Sequence, residues 1–206
     1  MLFNNSNSKQ PMIVFRAAEA VVTKDGSEAV KTRVKKGYRI SELDDAIRRK
    51  RNRTEARLMT EARRAGVRSP VVTGHDEFSI RMEYIEGKKL RDAMNPGNCT
   101  ALASMMAESM AKMHNAGIIH GDPTTSNMIL KDGEVYMVDF GLGFRSGRAE
   151  DKATDLYLLR EAMSSVHHEM LDGAWKTILK VYRKKSKDSA SVFKSLNIIG
   201  KRRRYR

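Results

Sequence analysis

An α+β fold is the architecture this sequence predicts, with an antiparallel sheet and a helix first and a mainly helical second part after it. Three observations carry that expectation. Apolar and β-branched runs between Met12 and Val34 are split by Lys24-Asp25-Gly26, and Asp-Gly between two such runs is a strong hairpin signal. Leu58, Met59 and Ala62 then fall on one face at helical spacing. In the second half Leu102, Met105, Met106, Met110 and Met113 recur largely at intervals of three and four, the mark of an amphipathic or buried helix.

Element by element, residues 1–11 are polar beyond the first three and read as a flexible leader or linker. Ser41 stands three residues before Asp44 and ahead of Leu43 and Ile47, so a capped helix is expected to start there. A second helical stretch is expected from about Thr54 to Gly66, where a left-handed C-cap fits and Pro70 lies beyond. Val71 to Tyr84 returns to strand composition, with a turn between Gly74 and Glu77. The Met-rich helix closes at Gly117, and its methionines read as core filler. Met128-Ile-Leu130 and Val135-Tyr-Met-Val138, joined by Asp132-Gly133, make a small hairpin. Residues 151–185 are again helical in pattern, whereas 186–206 lose it and end in Lys201-Arg-Arg-Arg-Tyr-Arg206.

A chain of 206 residues that is 40% hydrophobic fills one sizeable core. Its apolar runs fall far short of the roughly 18 residues that cross a bilayer. The single cysteine, Cys99, excludes an intramolecular disulfide and a four-cysteine zinc site. With no basic-then-apolar leader, a cytoplasmic location is expected. The net charge of +14 is uneven: Lys31 to Arg68 holds 14 Lys and Arg against 5 Asp and Glu, and Lys194 to Arg206 holds 6 basic residues and no acidic one. That excess points to a polyanion partner, nucleic acid included, with a merely solvated surface as the plain alternative.

The chemistry concentrates in His120-Gly121-Asp122, Asn127 five residues after Asp122, and Asp139-Phe140-Gly141 twelve residues after Asn127. Phosphoryl transfer needs a carboxylate to orient the acceptor and oxygen ligands that hold magnesium against phosphates. One loop presents Asp122 and Asn127, and the following hairpin returns the chain so that Asp139 faces the same cavity. The order is that of the protein-kinase catalytic loop, with Gly121 where arginine usually stands. His120 reads as a brace for this loop.

Upstream, Ala29-Val30-Lys31 supplies the strand lysine that a kinase places on its nucleotide phosphates, and Glu55 and Glu61 are the helical candidates to hold it. Met82-Glu-Tyr-Ile-Glu-Gly87 reads as a hinge whose backbone from Glu83 to Ile85 meets adenine. The expected fold is therefore a bilobal, protein-kinase-like one, with a nucleotide-binding lobe over 12–84, a catalytic lobe over 85–206 and a basic tail over 194–206.

Several separated motifs, Ala17-Ala-Glu-Ala20, Lys31-Thr-Arg33 with Lys36-Gly-Tyr-Arg39, Arg53-Thr-Glu-Ala-Arg57, His120-Gly-Asp-Pro-Thr-Thr-Ser-Asn127, Asp139-Phe-Gly141 and Glu150-Asp-Lys-Ala-Thr-Asp155, extend across about residues 13–206. In these the chain resembles the small atypical kinases of the KEOPS complex, the p53-related protein kinase (PRPK) type. The resemblance implies a reduced bilobal fold without most of the activation segment, and ATP hydrolysis or weak serine phosphorylation in support of threonylcarbamoylation of tRNA adenosine 37. It implies as partners the KEOPS transferase subunit, the small Cgi-type subunit and tRNA, with no membrane. Lys31 and Glu55 then form an ion pair, Asp122 is the catalytic carboxylate, Asn127 and Asp139 hold Mg2+, and Glu19 lies in a shortened nucleotide loop beside ATP.

The first helix offers Arg48, Arg49, Lys50 and Arg51 to a partner or RNA, and the tail offers Lys201, Arg202, Arg203, Arg204 and Arg206. Some archaeal relatives fuse this domain behind the transferase, and residues 1–11 fit such a linker. Two departures stand out: Ala17 replaces the family's usual glycine, and Pro123 replaces its usual leucine. Rival readings are a phosphotransferase of the aminoglycoside or lipopolysaccharide-sugar kinase type, whose loops also carry His-Gly-Asp and Asn, and an ATP-switched module that binds RNA or a partner.

Overall fold

A computed structural model describes residues 12–16 and 19–204, with side chains through Arg202. The leader at 1–11, Ala17, Tyr205 and Arg206 therefore lie outside the described residues. Strands β1 (Met12–Arg16), β2 (Ala20–Asp25), β3 (Glu28–Arg33), β4 (Val72–His75) and β5 (Ser79–Glu83) form an antiparallel sheet in the order β1-β2-β3-β5-β4. Strand geometry alternates side chains between faces, so Ala29, Lys31 and Arg33 of β3 are buried together while Thr32 between them is exposed.

Helix α1 (Ser41–Arg64) is one uninterrupted helix of 24 residues, which corrects the expectation of two stretches. Arg48 to Arg53 has no apolar period, so the pattern breaks there in the sequence. Polar contacts bridge the break instead: Arg48 Nε donates to the buried Asp44 at 2.7 Å, and the Asn52 amide donates to the carbonyls of Asp76 and Ser79 at 2.9 and 3.0 Å. Ser41 is the first helical residue after an Ile40 N-cap, and its hydroxyl accepts from Lys35 at 2.8 Å. At the other end Gly66 takes φ +82°, its N–H bonds to Arg63, and the Val67 N–H reaches back to Ala62. That is the Schellman ending.

After β5 the chain runs through β6 (Lys88–Lys89), α2 (Leu90–Ala93), α3 (Cys99–Asn115), β7 (Ile118–Ile119), β8 (Met128–Lys131), β9 (Glu134–Met137) and β10 (Phe144–Arg145). Then follow α4 (Ala149–Val166), α5 (Leu171–Lys185) and α6 (Ser189–Arg204). Strands β6, β8 and β9 make a small sheet, and β7 pairs with β10. α3 packs on α5 and α4 on α6. Met106, Met110 and Met113 are fully buried, each contributing about 1.5–3 kcal/mol of transfer free energy.

Helix α6 corrects the second expectation, that 186–206 is irregular. Val192, Phe193, Leu196 and Ile199 recur along one helical face and pack on the core. Lys152, itself buried, donates to Asp188 just ahead of α6 at 2.6 Å. The basic tail is thus the end of a packed helix as far as Arg204.

Candidate active site

Three distant segments meet at Lys31. From β3 its ammonium donates to Glu55 Oε1 of α1 at 2.7 Å and to Asp139 Oδ1 at 2.7 Å. Arg33, two residues along the same face of β3, donates to the other Glu55 oxygen at 2.5 Å. Glu55 is fully buried, so both of its oxygens are satisfied by cations. Burial lowers the Lys31 pKa, but Glu55 and Asp139 outweigh it and hold the amine above its ordinary value. Burial likewise pushes Asp139 up, yet the adjacent Lys31 and the Gly141 N–H, 3.2 Å from Oδ1, bring its carboxyl below the usual range. A Cβ on Gly141 would lie 3.0 Å from Asp139 and 3.1 Å from Arg33, so a side chain there would wedge into the ion cluster. Glu61, the other helical candidate, accepts from Arg145 at 2.7 Å instead.

The second group is the loop between β7 and β8. Asn127 donates its amide to the Asp122 carbonyl at 3.0 Å and to Asp122 Oδ2 at 2.8 Å, which leaves the Asn127 amide oxygen and Asp122 Oδ1 without a donor among the described residues. His120 is buried, with Nε2 against the Val138 carbonyl at 3.2 Å and Nδ1 against the Asp122 N–H at 3.3 Å. One neighbour only accepts and the other only donates, so the neutral tautomer with hydrogen on Nε2 satisfies both. Burial lowers its pKa, in keeping with that neutral form. Gly121 takes φ +81°, and a Cβ there would collide with the Leu142 carbonyl oxygen. No arginine fits where the usual catalytic loop has one. Pro123 lacks an N–H, and the Thr124 N–H makes the next contact, to the Asp122 carbonyl at 2.8 Å.

A cavity of about 270 Å³ lies between these groups, lined by Val22, Ala29, Lys31, Met82, Asn127 and Asp139 among others. Glu83 and Ile85 also line it. The Glu83 N–H bonds to Val71 and the Tyr84 N–H to Ser27, while the Ile85 N–H has no acceptor among the described residues. A larger cleft of about 650 Å³ near Arg63, Arg68 and Lys112 contains none of the catalytic or metal candidates. No three His, Cys, Asp or Glu side chains cluster as a metal cage among the described residues. Asp139 and Asn127 instead offer two oxygen donors, a set suited to a hard cation that shares its other positions with phosphate and water.

Other expected residues are placed away from this cavity. Glu19 is ion-paired with Arg51 and lies 3.8 Å from Arg39. Arg48 is held by Asp44 and Asp45, the latter at 2.5 Å, and Arg49 lies 3.5 Å from Glu77. Lys50 is exposed on α1. Lys201 and Arg202 are exposed at the end of α6, with Arg202 3.9 Å from Glu150; for Arg203 and Arg204 only the helical backbone is described.

With the geometry in place, comparison with known proteins is decisive on family: the RIO domain matches residues 12–153. The chain belongs to the RIO-domain family. A Methanosarcina mazei protein named "Probable bifunctional tRNA threonylcarbamoyladenosine biosynthesis protein" is 40% identical over 94% of this chain and 35% of that protein. A Methanococcus maripaludis protein of the same name is 37% identical over 98% of this chain and 38% of its own length. The chain thus spans about a third of the length of the curated relatives it matches. Its fold is similar to that of the Rio2 kinase from Chaetomium thermophilum in an ADP/Mg2+-phosphoaspartate complex, with TM-score 0.64, 13% identity, and coverage of 93% of this chain and 70% of that one. WaaP in complex with acyl carrier protein gives TM-score 0.64 at 15% identity, covering 94% and 88%. The fold is protein-kinase-like, with an N-terminal antiparallel sheet and a mainly helical remainder.

Two residues of the chain stand in the sequence only inside motifs, with no place of their own. Arg33, the third residue of Lys31-Thr-Arg33, shares Glu55 with Lys31, and period-2 alternation was the available signal. Asp155 closes Glu150-Asp-Lys-Ala-Thr-Asp155 and accepts the N–H groups of His120 at 2.7 Å and Gly121 at 2.8 Å. It also lies 3.2 Å from His114 Nε2, whose Nδ1 is 2.7 Å from the Tyr182 hydroxyl. No local pattern marks an aspartate whose partners are 34 and 35 residues away.

Proposed function

We propose that this RIO domain binds ATP with Mg2+ and acts as the serine/threonine kinase or ATPase component of a KEOPS-type assembly that threonylcarbamoylates tRNA. The observation that carries the reading is that Lys31, Asn127 and Asp139 line one cavity, with Glu55 bonded to Lys31 and Asp122 to Asn127 just behind that lining. The names of the longer relatives support the biological setting. In this reading residues 12–84 form the nucleotide-binding lobe and 85–206 the catalytic lobe, with adenine against Glu83 and Ile85. Lys31 takes phosphate oxygens, exchanging its contact with Asp139. Asn127 and Asp139 would hold the cation, which supplies charge neutralisation on the phosphates. Asp122 orients the acceptor through the oxygen that Asn127 leaves free. The transferase, a small Cgi-type subunit and tRNA are the partners, in the cytoplasm.

ATP turnover with and without magnesium tests this for the wild type, Asp139→Asn and Asp122→Asn. Each variant is expected to lose about 10²-fold or more. Turnover near the wild-type rate in either variant, with an unchanged circular dichroism spectrum, sinks the assignment. Co-purification of the native protein without a threonylcarbamoyl transferase would sink the setting.

A further inference from the structure

The four consecutive cations Arg48 to Arg51 cannot form one patch on α1, because successive helical residues turn by about 100°. Arg48 and Arg51 point about 160° and 100° away from Lys50 and are held by Asp44, Asp45 and Glu19. A different set shares the outer face. Lys50, Arg53, Arg57 and Arg64 lie within an arc of about 60° and span about 21 Å of helix. All four are exposed. Lys50, Arg53 and Arg64 have no ion-pair partner among the described residues, and Arg57 has only Glu61 at 3.9 Å. Glu61 is in turn engaged by Arg145, which adds a fifth cation beside the row.

Like charges three and four residues apart destabilise a helix by a few tenths of a kcal/mol per pair. The inner face of the same helix shows the contrasting arrangement, with buried Asp44 and Glu55 each matched to arginine or lysine. From this contrast we infer that the outer face of α1 is a docking ridge for the phosphate backbone of RNA. The inference rests on the tRNA-modification reading above and gives it a location on this chain. A protein partner is the less favoured occupant, since protein interfaces centre on buried aromatic or aliphatic anchors with charges at the rim. Between Lys50 and Arg64 this face carries no apolar anchor, and its one acid, the half-buried Glu61, is taken up by Arg145 and Arg57, so the exposed charge is a row of cations that suits phosphates repeating along a strand.

The test is binding of an unmodified tRNA transcript to the full chain at several salt concentrations. It compares the wild type with a ridge variant, Lys50→Gln, Arg53→Gln, Arg57→Gln and Arg64→Gln, and with a control that removes four exposed α5-side charges, Lys176→Gln, Lys180→Gln, Lys184→Gln and Lys187→Gln. Thermal unfolding verifies that each is folded. The ridge variant is expected to flatten the slope of log affinity against log salt by about 3 units, and the control by less than about 1. Equal losses in both variants overturn the proposal, leaving only diffuse attraction to a basic protein. Intact tRNA binding by the ridge variant overturns the ridge alone, and if that variant instead loses binding to polyglutamate, an acidic protein is the better occupant. A wild-type protein that binds no tRNA overturns both the ridge and the reading beneath it.

Discussion

On the sheet side of the cavity, Lys31 is positioned by carboxylates that it touches, Glu55 and Asp139. On the other side, the loop carrying Asp122 and Asn127 is positioned by Asp155, a carboxylate buried out of reach of the cavity. The first arrangement is an ion cluster with one half-exposed member, Asp139, so Lys31 can change partner at modest cost. The second is a hydrogen-bond network in which the N–H groups of His120 and Gly121 and the ring of His114 converge on one buried side chain. Substitutions on the sheet side should therefore strike turnover before stability, and those around Asp155 should strike stability first.

The largest expected effect is that of Asp155→Ala. It strands the N–H groups of His120 and Gly121 and the ring of His114 in a dry site, which should lower unfolding free energy by about 3–5 kcal/mol. Urea denaturation measures it, and a loss under about 1 kcal/mol would mean the loop is held by something else.

Lys31→Met provides the opposite case. Glu55 keeps Arg33, so stability should change by no more than about 1 kcal/mol while ATP turnover falls about 10²-fold. Adding Arg33→Met removes the second cation and leaves Glu55 buried and unpaired. The double variant should then lose about 3 kcal/mol or more, well above the sum of the single losses. Additive losses would show that the two cations do not share Glu55 energetically.

Gly121→Ala should cost about 2 kcal/mol, from φ +81° and the close Leu142 carbonyl, and should lower turnover only through displacement of Asp122. Unfolding midpoint and turnover measured together separate the two effects.

How far the sequence reached follows the same division. Lys31, Asp122, Asn127 and Asp139 stood out as candidates because phosphate chemistry asks for those residue types in that order; Glu55 and Glu61 were equally eligible on the helix, and only the motif resemblance favoured Glu55, which the structure pairs with Lys31. The first sheet was legible because Asp-Gly and β-branched runs are local signals. Asp155 was opaque in its role, since its partners come together only when α4 docks under the loop. The continuity of α1 was hidden because charge pairs such as Arg48–Asp44 replace the apolar period through its middle. Helix α6 was missed despite Val192, Phe193, Leu196 and Ile199 at helical spacing, because the basic end dominated the composition there.

The smallest expected effect uses pH to separate the two sides. Burial depresses the pKa of His120, while the charges of Asp155, Asp139 and Asp122 and the Val138 carbonyl oppose it only in part. The folded state thus holds His120 neutral at pH values where the unfolded chain, with an ordinary value near 6.5, takes up a proton. Between those two values the unfolded state binds more protons, so stability rises with pH and falls on acidification below about 6.5. His167, also depressed by burial, contributes in the same window. Asp139 has the carboxylate pattern: its folded value lies below the ordinary 3.8, so its contribution is present above that value and is lost as pH falls through the folded one. Mild acid should therefore loosen the loop side while leaving the Lys31–Asp139 link in place. Unfolding free energies from urea denaturation at pH 7.5, 6.5 and 5.5 are expected to drop by about 1 kcal/mol across the last step in the wild type, by less in His120→Gln, and by an intermediate amount in His167→Gln. A wild-type midpoint that stays flat to pH 5.5, or one whose slope survives in His120→Gln, would remove His120 as the group that ties the loop to acid and would leave Asp155 to hold it alone.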